Sequence, residues 1–241
     1  MLALLPRHEA HIWLIDPETI RDGTVLTDFR TLLSVEERTQ CDRFHFPQDS
    51  HQYLVSHAMV RKVLSAYTGL APAEWRYSRS NHGRPEIANQ DVADIRFNLT
   101  HTCGLAACIV TRDVECGIDV EKLDSRHHLA GIAQRMFAAE ECQLLEQLHG
   151  KKQIEAFFTR WTLREAFVKA KGIGISYPTR KLHFDIEDDD TIRVRFDSDL
   201  DEDDGHWQFR LLRPSGEHIM AIALRTDEPA EHRIVKHRFN R

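Results

Sequence analysis

Two stretches of this chain, far apart in sequence, follow the same plan, and a duplicated plan narrows the folds open to it. Ser34-Val35-Glu36-Glu37 has the form of a helix start, a capping serine with acids in the first turn, and a helical pattern runs from it to Gly69, a C-terminal stop. Ala138-Ala139-Glu140-Glu141 opens a second such stretch, which ends at Gly172. Each stretch ends in an amphipathic helix. Val60, Val63, Leu64 and Tyr67 recur at helical spacing in the first, and Phe157, Phe158, Trp161, Ala166, Phe167 and Val168 give a broader apolar face in the second. Strand-like pairs follow both. Residues 94–99 and 106–111 flank Thr102-Cys103-Gly104, and 207–212 and 219–224 flank Pro214-Ser215-Gly216. The expected fold class is α+β: two similar halves, 1–112 and 113–241, each a helical layer on an antiparallel sheet. A duplicated half can form a pseudo-dimer within one chain, so a monomer is expected, with its active site in the cleft between the halves.

Composition excludes several classes. No apolar run approaches the ~20 residues that cross a bilayer, and Met1-Leu2-Ala3-Leu4-Leu5 is cut short by Pro6 and Arg7, so a cytoplasmic protein with no membrane partner is expected. The 5 cysteines include no Cys-x-x-Cys pair and read as buried thiols rather than a disulfide or zinc framework. A formal charge of -6 argues against general affinity for nucleic acid, which is bound through clustered Lys and Arg. The acid runs within 185–190 and 197–204 read as solvated hairpin edges and loops.

The most informative local string is Cys116-Gly117-Ile118-Asp119-Val120-Glu121, an extended segment whose alternation puts Asp119 and Glu121 on one face. Two carboxylates side by side repel unless a cation sits between them or water surrounds them. Further on, Trp161-Thr162-Leu163-Arg164-Glu165-Ala166-Phe167-Val168-Lys169 places Glu165 and Lys169 four apart on a helix. Alone, that spacing is an ordinary surface ion pair. Embedded among Trp161, Ala166, Phe167 and Val168, the helix is at least partly buried, and a buried acid requires a metal or a hydrogen-bonded cation. Asp119, Glu121 and Glu165 together offer the hard oxygen ligands that suit Mg²⁺. Three carboxylates around one Mg²⁺ leave a negative site, so a diphosphate approaches only if cations such as Lys169 offset the repulsion.

Two more segments fit phosphate handling. In Phe97-Asn98-Leu99-Thr100-His101-Thr102 a strand runs into a turn carrying a hydroxyl and an imidazole that could clasp a phosphate. Gly83-Arg84-Pro85 holds a guanidinium between a permissive and a rigid residue, a tight loop suited to an adenine or a phosphate.

These four motifs, in this order, resemble the larger single-chain 4′-phosphopantetheinyl transferases, the type that activates peptide and polyketide synthases; the similarity extends over roughly residues 30–225. The resemblance implies two α+β halves in pseudo-twofold arrangement. It implies transfer of the phosphopantetheine arm of coenzyme A to a serine of an apo acyl or peptidyl carrier protein, with release of adenosine 3′,5′-bisphosphate. Carried over by position, it makes Asp119, Glu121 and Glu165 the Mg²⁺ ligands and Lys169 the lysine near the reacting phosphate. Thr100 and His101 become contacts to coenzyme A, with Arg84 beside the adenine end. Glu165, Lys169 and His101 are then the catalytic candidates, with Glu165 accepting the serine proton. Three departures are mild: Thr100 stands where the family usually has serine, Arg84 where it has lysine, and Thr162 where it has serine. Larger is the change at Glu37 and Gln40, where relatives often carry lysines that meet the 3′-phosphate; Arg38, Arg43, His51 or Arg61 would have to take over. The stretch from Arg126-His127-His128-Leu129 is the expected docking patch for an acidic carrier.

Two other classes stay in view. A metal-dependent nuclease or phosphodiesterase uses the same acids and lysine, but would need a basic track for its strand. A non-catalytic relative that binds coenzyme A or a carrier is disfavoured by the intact acids and Lys169.

Overall fold

The structure is a computed structural model that describes residues 5–92, 94–124, 129–174, 177–226 and 231–240. Along the chain run β1 (Glu9–Ile15), α1 (Gly23–Leu32), α2 (Val35–Asp42), α3 (Pro47–Tyr67), β2 (Tyr77–Arg79), β3 (Pro85–Ile87), β4 (Ile95–Thr102), β5 (Leu105–Arg112) and β6 (Glu115–Lys122). Then come α4 (Leu129–Met136), α5 (Ala139–Gln147), α6 (Lys151–Lys171), β7 (Leu182–Ile186), β8 (Ile192–Phe196), β9 (Trp207–Ser215), β10 (His218–Arg225) and β11 (Arg233–Arg238). The class is α+β. No described helix is long and apolar enough to cross a membrane.

The chain forms two compact units: Met1–Ser80 with Arg84–Asp113 and His232–Arg241, and Val114–Glu231 with Asn81–Gly83. The second half expected over 113–241 thus loses its last ten residues to the first unit. The reason is that β11 adds in parallel to the edge strand β1, in register Glu9 with Arg233 through Leu14 with Arg238. No local pattern announces such a pairing.

In the first unit the sheet order is β11-β1-β5-β4. Its core lies between this sheet and α3, whose Val55, Ala58, Met59, Val63 and Leu64 are buried with Ala106, Cys108 and Val110 of β5 and Phe97 of β4. In the second unit the sheet is β6-β10-β9, and α6 buries Leu163, Ala166, Phe167 and Ala170 against Ile219, Ala221, Ala223, Phe209 and Leu211. Removing these apolar faces from water is the main favourable term in each unit.

Each expected helical stretch holds two helices, a short one and then a long one. Pro47 at the first position of α3 cannot donate into a preceding turn, and Gly150, at φ 58, reverses the chain before α6. Ser34 and Glu37 form the full capping box predicted for α2. Gly172 ends α6 in the left-handed region at φ 67, where a side chain would be strained.

Candidate functional site

The acids stand along one seam of the second unit, where β6 runs against α6. Gly117, Asp119 and Glu121 alternate onto the face of β6 turned to the helix. Trp161, Glu165 and Lys169, spaced by four, share a face of α6. Gly117 makes the approach possible. A Cβ there would lie 1.9 Å from the Ala166 carbonyl oxygen and 2.5 Å from the Ala170 nitrogen, so any side chain would push the strand off the helix.

Two side chains of α6 then reach the strand. Lys169 Nζ donates to Asp119 Oδ1 at 2.6 Å and to the Ile118 carbonyl at 3.3 Å. Trp161 Nε1 donates to Glu121 Oε1 at 3.1 Å. The surface ion pair that the spacing of Glu165 and Lys169 alone would suggest therefore yields to a pair across the seam. Burial decides it: the Asp119 side chain is 7% exposed, so a cation there replaces lost hydration, which an exposed i,i+4 pair does not need.

The remaining carboxylates show the strain of crowding. Burial, and then the Asp119 charge, push the Glu121 carboxyl up to about 7 against the Trp161 hydrogen bond and Lys169, with Glu165 adding to the rise. Burial and Asp119 also raise Glu165, opposed by Lys169. Among the described residues no group of three or more His, Cys, Asp or Glu side chains is arranged to hold a metal ion. Asp119, Glu121 and Glu165 are neighbours that feel one another's charge, with Lys169 on Asp119. An all-oxygen set whose members hinder one another's ionisation is chemically suited to a hard divalent cation, whose charge would relieve that repulsion.

In the first unit, Thr100 and His101 lie near the end of β4, opposite Ala107 and Ala106 of β5. Thr100 is buried and His101 exposed. Gln52 of α3 reaches the imidazole: its Nε2 lies 2.7 Å from His101 Nδ1. Arg84 closes the β2–β3 hairpin, its N–H donating to Ser80 Oγ at 3.1 Å and its carbonyl accepting from the Ser80 N–H at 2.9 Å, with Gly83 at φ 85 before it.

The substitutes for the missing lysines separate clearly. Arg61 is ruled out as a phosphate ligand, because its guanidinium is 1% exposed and held by Glu37 at 2.6 Å and by the Pro72 and Trp75 carbonyls. His51 Nε2 lies 2.9 Å from the Pro17 carbonyl, and Arg38 donates to the Leu33 carbonyl at 2.7 Å. Arg43 caps α2 through its backbone and keeps an exposed side chain. The docking stretch at Arg126, His127 and His128 lies outside the described residues.

Sequence reasoning missed the two carriers of order in this seam, the Trp161 indole and the close contact at Gly117, and the Gln52 amide in the first unit. The first two stood inside quoted motifs, and their chemistry could have flagged them: an indole N–H needs an acceptor when buried. Gln52 carries no local signal. An apolar cavity of about 360 Å³, lined by Leu129, Ala133, Cys142, Leu145 and Phe157, lies among α4, α5 and α6. Its lining residue Phe157 stacks on Trp161, and Asp119, Glu121 and Glu165 are not among the lining residues.

Residues 115–223 match the family described as the 4′-phosphopantetheinyl transferase superfamily, and residues 24–112 match the 4′-phosphopantetheinyl transferase N-terminal family. The chain is 31% identical over 169 residues to the 4′-phosphopantetheinyl transferase HetI of a Nostoc species, covering 70% of each protein. It is 29% identical over 166 residues to 4′-phosphopantetheinyl transferase Sfp of Bacillus subtilis, covering 69% of this chain and 72% of that one. Against the mouse L-aminoadipate-semialdehyde dehydrogenase-phosphopantetheinyl transferase the identity is 24% over 216 residues, covering 84% of this chain and 70% of the relative.

Proposed function

Since the chain belongs to the 4′-phosphopantetheinyl transferase superfamily, a transferase that moves phosphopantetheine from coenzyme A to carrier proteins, we propose that the β6–α6 seam is where it does so. The observation that carries this reading is the meeting of Asp119, Glu121, Glu165 and Lys169 across two elements at sequence separations no local structure explains.

In the proposed reaction a carrier serine Oγ forms a bond to the phosphorus attached to pantetheine. The bond from that phosphorus to the bridging oxygen breaks, and adenosine 3′,5′-bisphosphate leaves. Such a transfer asks the protein for positioning and charge stabilisation. Asp119, Glu121 and Glu165 would hold Mg²⁺, which when bound offsets negative charge on the diphosphate oxygens. Lys169, drawn toward the site by Asp119, supplies a positive charge beside the transferred phosphate. Glu165, directly or through a water held by the metal, would accept the serine proton. Thr100 and His101 contact the phosphates of coenzyme A, Arg84 stands at the adenine end, and Arg43 and Arg38 are the remaining cations for the 3′-phosphate. We place carrier docking on the stretch from Arg126-His127-His128-Leu129 onward, whose basic residues suit an acidic carrier. The enzyme acts on this reading as a cytoplasmic monomer without nucleic-acid or membrane partners.

The test is intact mass after mixing the protein with Mg²⁺, coenzyme A and a set of apo acyl and peptidyl carriers. One added phosphopantetheine on a carrier serine is expected, lost when Mg²⁺ is chelated. Modification that proceeds undiminished in the Asp119→Asn and Glu165→Gln variants would remove the seam from the reaction.

A further inference from the structure

In the second unit the long helix reaches down to its strand and holds the functional groups there by hydrogen bonds, Trp161 to Glu121 and Lys169 to Asp119. The first unit uses the same device at His101. Gln52, in the second turn of α3, meets His101 on β4 across 49 positions of sequence at 2.7 Å. Both residues belong to the same unit, and nothing in the reaction as set out above uses Gln52.

We infer that Gln52 is a positioning residue that fixes the proton and the ring orientation of His101, so that Nε2–H is the donor offered to a phosphate of coenzyme A. The inference rests on the reading of His101 as a coenzyme A contact. A neutral imidazole carries one proton, and which nitrogen holds it is set by the bond the other nitrogen makes. With the Gln52 amide N–H donating to Nδ1, that nitrogen is the acceptor and the proton belongs to Nε2. When the ring takes a second proton, the same amide can turn its oxygen to Nδ1–H. The Nε2 donor and the ring plane are thereby kept in both protonation states, which a carboxylate or an ammonium at position 52 could not do, since each serves only one of them.

Across the ladder from His101, β5 contributes Ala106, which has no polar side chain. Close along the chain stand Cys103, in the β4–β5 turn, and His51, next to Gln52 on α3, whose Nε2 is engaged with the Pro17 carbonyl. His101 itself is exposed.

The experiment measures kcat and the KM for coenzyme A in carrier modification, across about pH 5.5 to about pH 8.5, which spans the ordinary imidazole range. The proteins are the natural chain, Gln52→Met, His101→Ala and the double variant. Methionine keeps the length and helix preference of glutamine at a partly exposed position, and equal thermal midpoints verify folding. Gln52→Met is expected to raise KM about two- to tenfold at the alkaline end, the worth of one net hydrogen bond, with kcat changed less. The gap should narrow at the acid end, where both ring nitrogens carry protons, and Gln52→Met should add nothing in the His101→Ala background. A Gln52→Met protein that matches the natural chain at every pH while His101→Ala is impaired overturns the inference alone. So does a defect that is independent of pH or that persists without His101. If His101→Ala itself leaves KM and kcat unchanged, the underlying reading of His101 fails instead.

Discussion

In both units a capping glutamate at the start of a short helix is tied to an arginine buried in the long helix that follows, yet the two ties are finished differently. Glu37 closes the capping box on Ser34 and pairs with Arg61, 24 positions on; Glu141 accepts from the Ala138 N–H and pairs with Arg164, 23 positions on. Each long helix has 21 residues, and each arginine is 1% exposed. Arg61 spends its other donors on the Pro72 and Trp75 carbonyls, whereas Arg164 gathers those of Met136, Thr179 and Leu182. The larger difference is on the sheet side. Val55, Ala58 and Met59 of α3 face an apolar core, while α6 turns Trp161, Glu165 and Lys169 to the carboxylates of β6. The shared part is a frame, and the polar seam is an addition to one copy of it. A duplicated frame lets one copy carry costly buried charge while both keep the same anchor.

If the arginines are equivalent anchors, Arg61→Met and Arg164→Met should each lower stability by about 3–5 kcal/mol, because each takes the buried guanidinium away from a buried glutamate. Denaturant melts of both variants check this, and a loss in only one unit would break the equivalence. If instead the seam residues serve chemistry, Glu165→Gln should cut transfer by about 10²–10³-fold while the thermal midpoint holds or rises, since a repelled carboxylate is removed. A midpoint that falls sharply would make Glu165 part of the frame.

A third comparison uses acid. Burial opposes ionisation of Glu37, but the His57, Ser34 N–H and Arg61 hydrogen bonds outweigh it and hold the carboxyl at about 2. A carboxyl lowered by folding stabilises the protein above its unfolded value, about 4.5, and that contribution disappears as pH falls toward about 2. Stability should therefore drop in this window with a slope of up to about 1.4 kcal/mol per pH unit, and Glu37→Gln should flatten it. Amide exchange by peptide can assign the loss to the first unit.

Gly117→Ala sharpens the view of the seam. The added Cβ meets helix backbone, which cannot rotate away, so about 1–3 kcal/mol of stability should be lost. Transfer should fall further than the melt explains, because Asp119 and Glu121 move with the strand. The smallest effect is expected from Trp161→Phe, which keeps the ring on Phe157 but removes one hydrogen bond to Glu121; about 1 kcal/mol in transition-state binding would be missing from kcat/KM.

The match between pattern and structure is uneven for physical reasons. The β4–β5 and β9–β10 hairpins, the Ser34 cap, the Gly172 stop and the acid-rich β7–β8 hairpin follow from residues close together in the chain. The helix α1 and the strands β1 and β11 lacked such signals. Arg61 was a candidate phosphate ligand by position and became a buried anchor because Glu37, far behind it, folds onto the same turn.

Short-range preferences of the chain were enough to write down both long helices, the strand bearing Asp119 and Glu121, and the spacing of Glu165 and Lys169. Periodicity specifies which side chains share a face, and it is silent on what that face meets. That Lys169 holds Asp119 rather than Glu165, that an indole steadies Glu121, that an amide on α3 meets His101, and that the final strand joins β1 were settled only when elements tens of residues apart packed together. Partners across a packed seam depend on the depth and register of two elements at once, quantities no single segment contains.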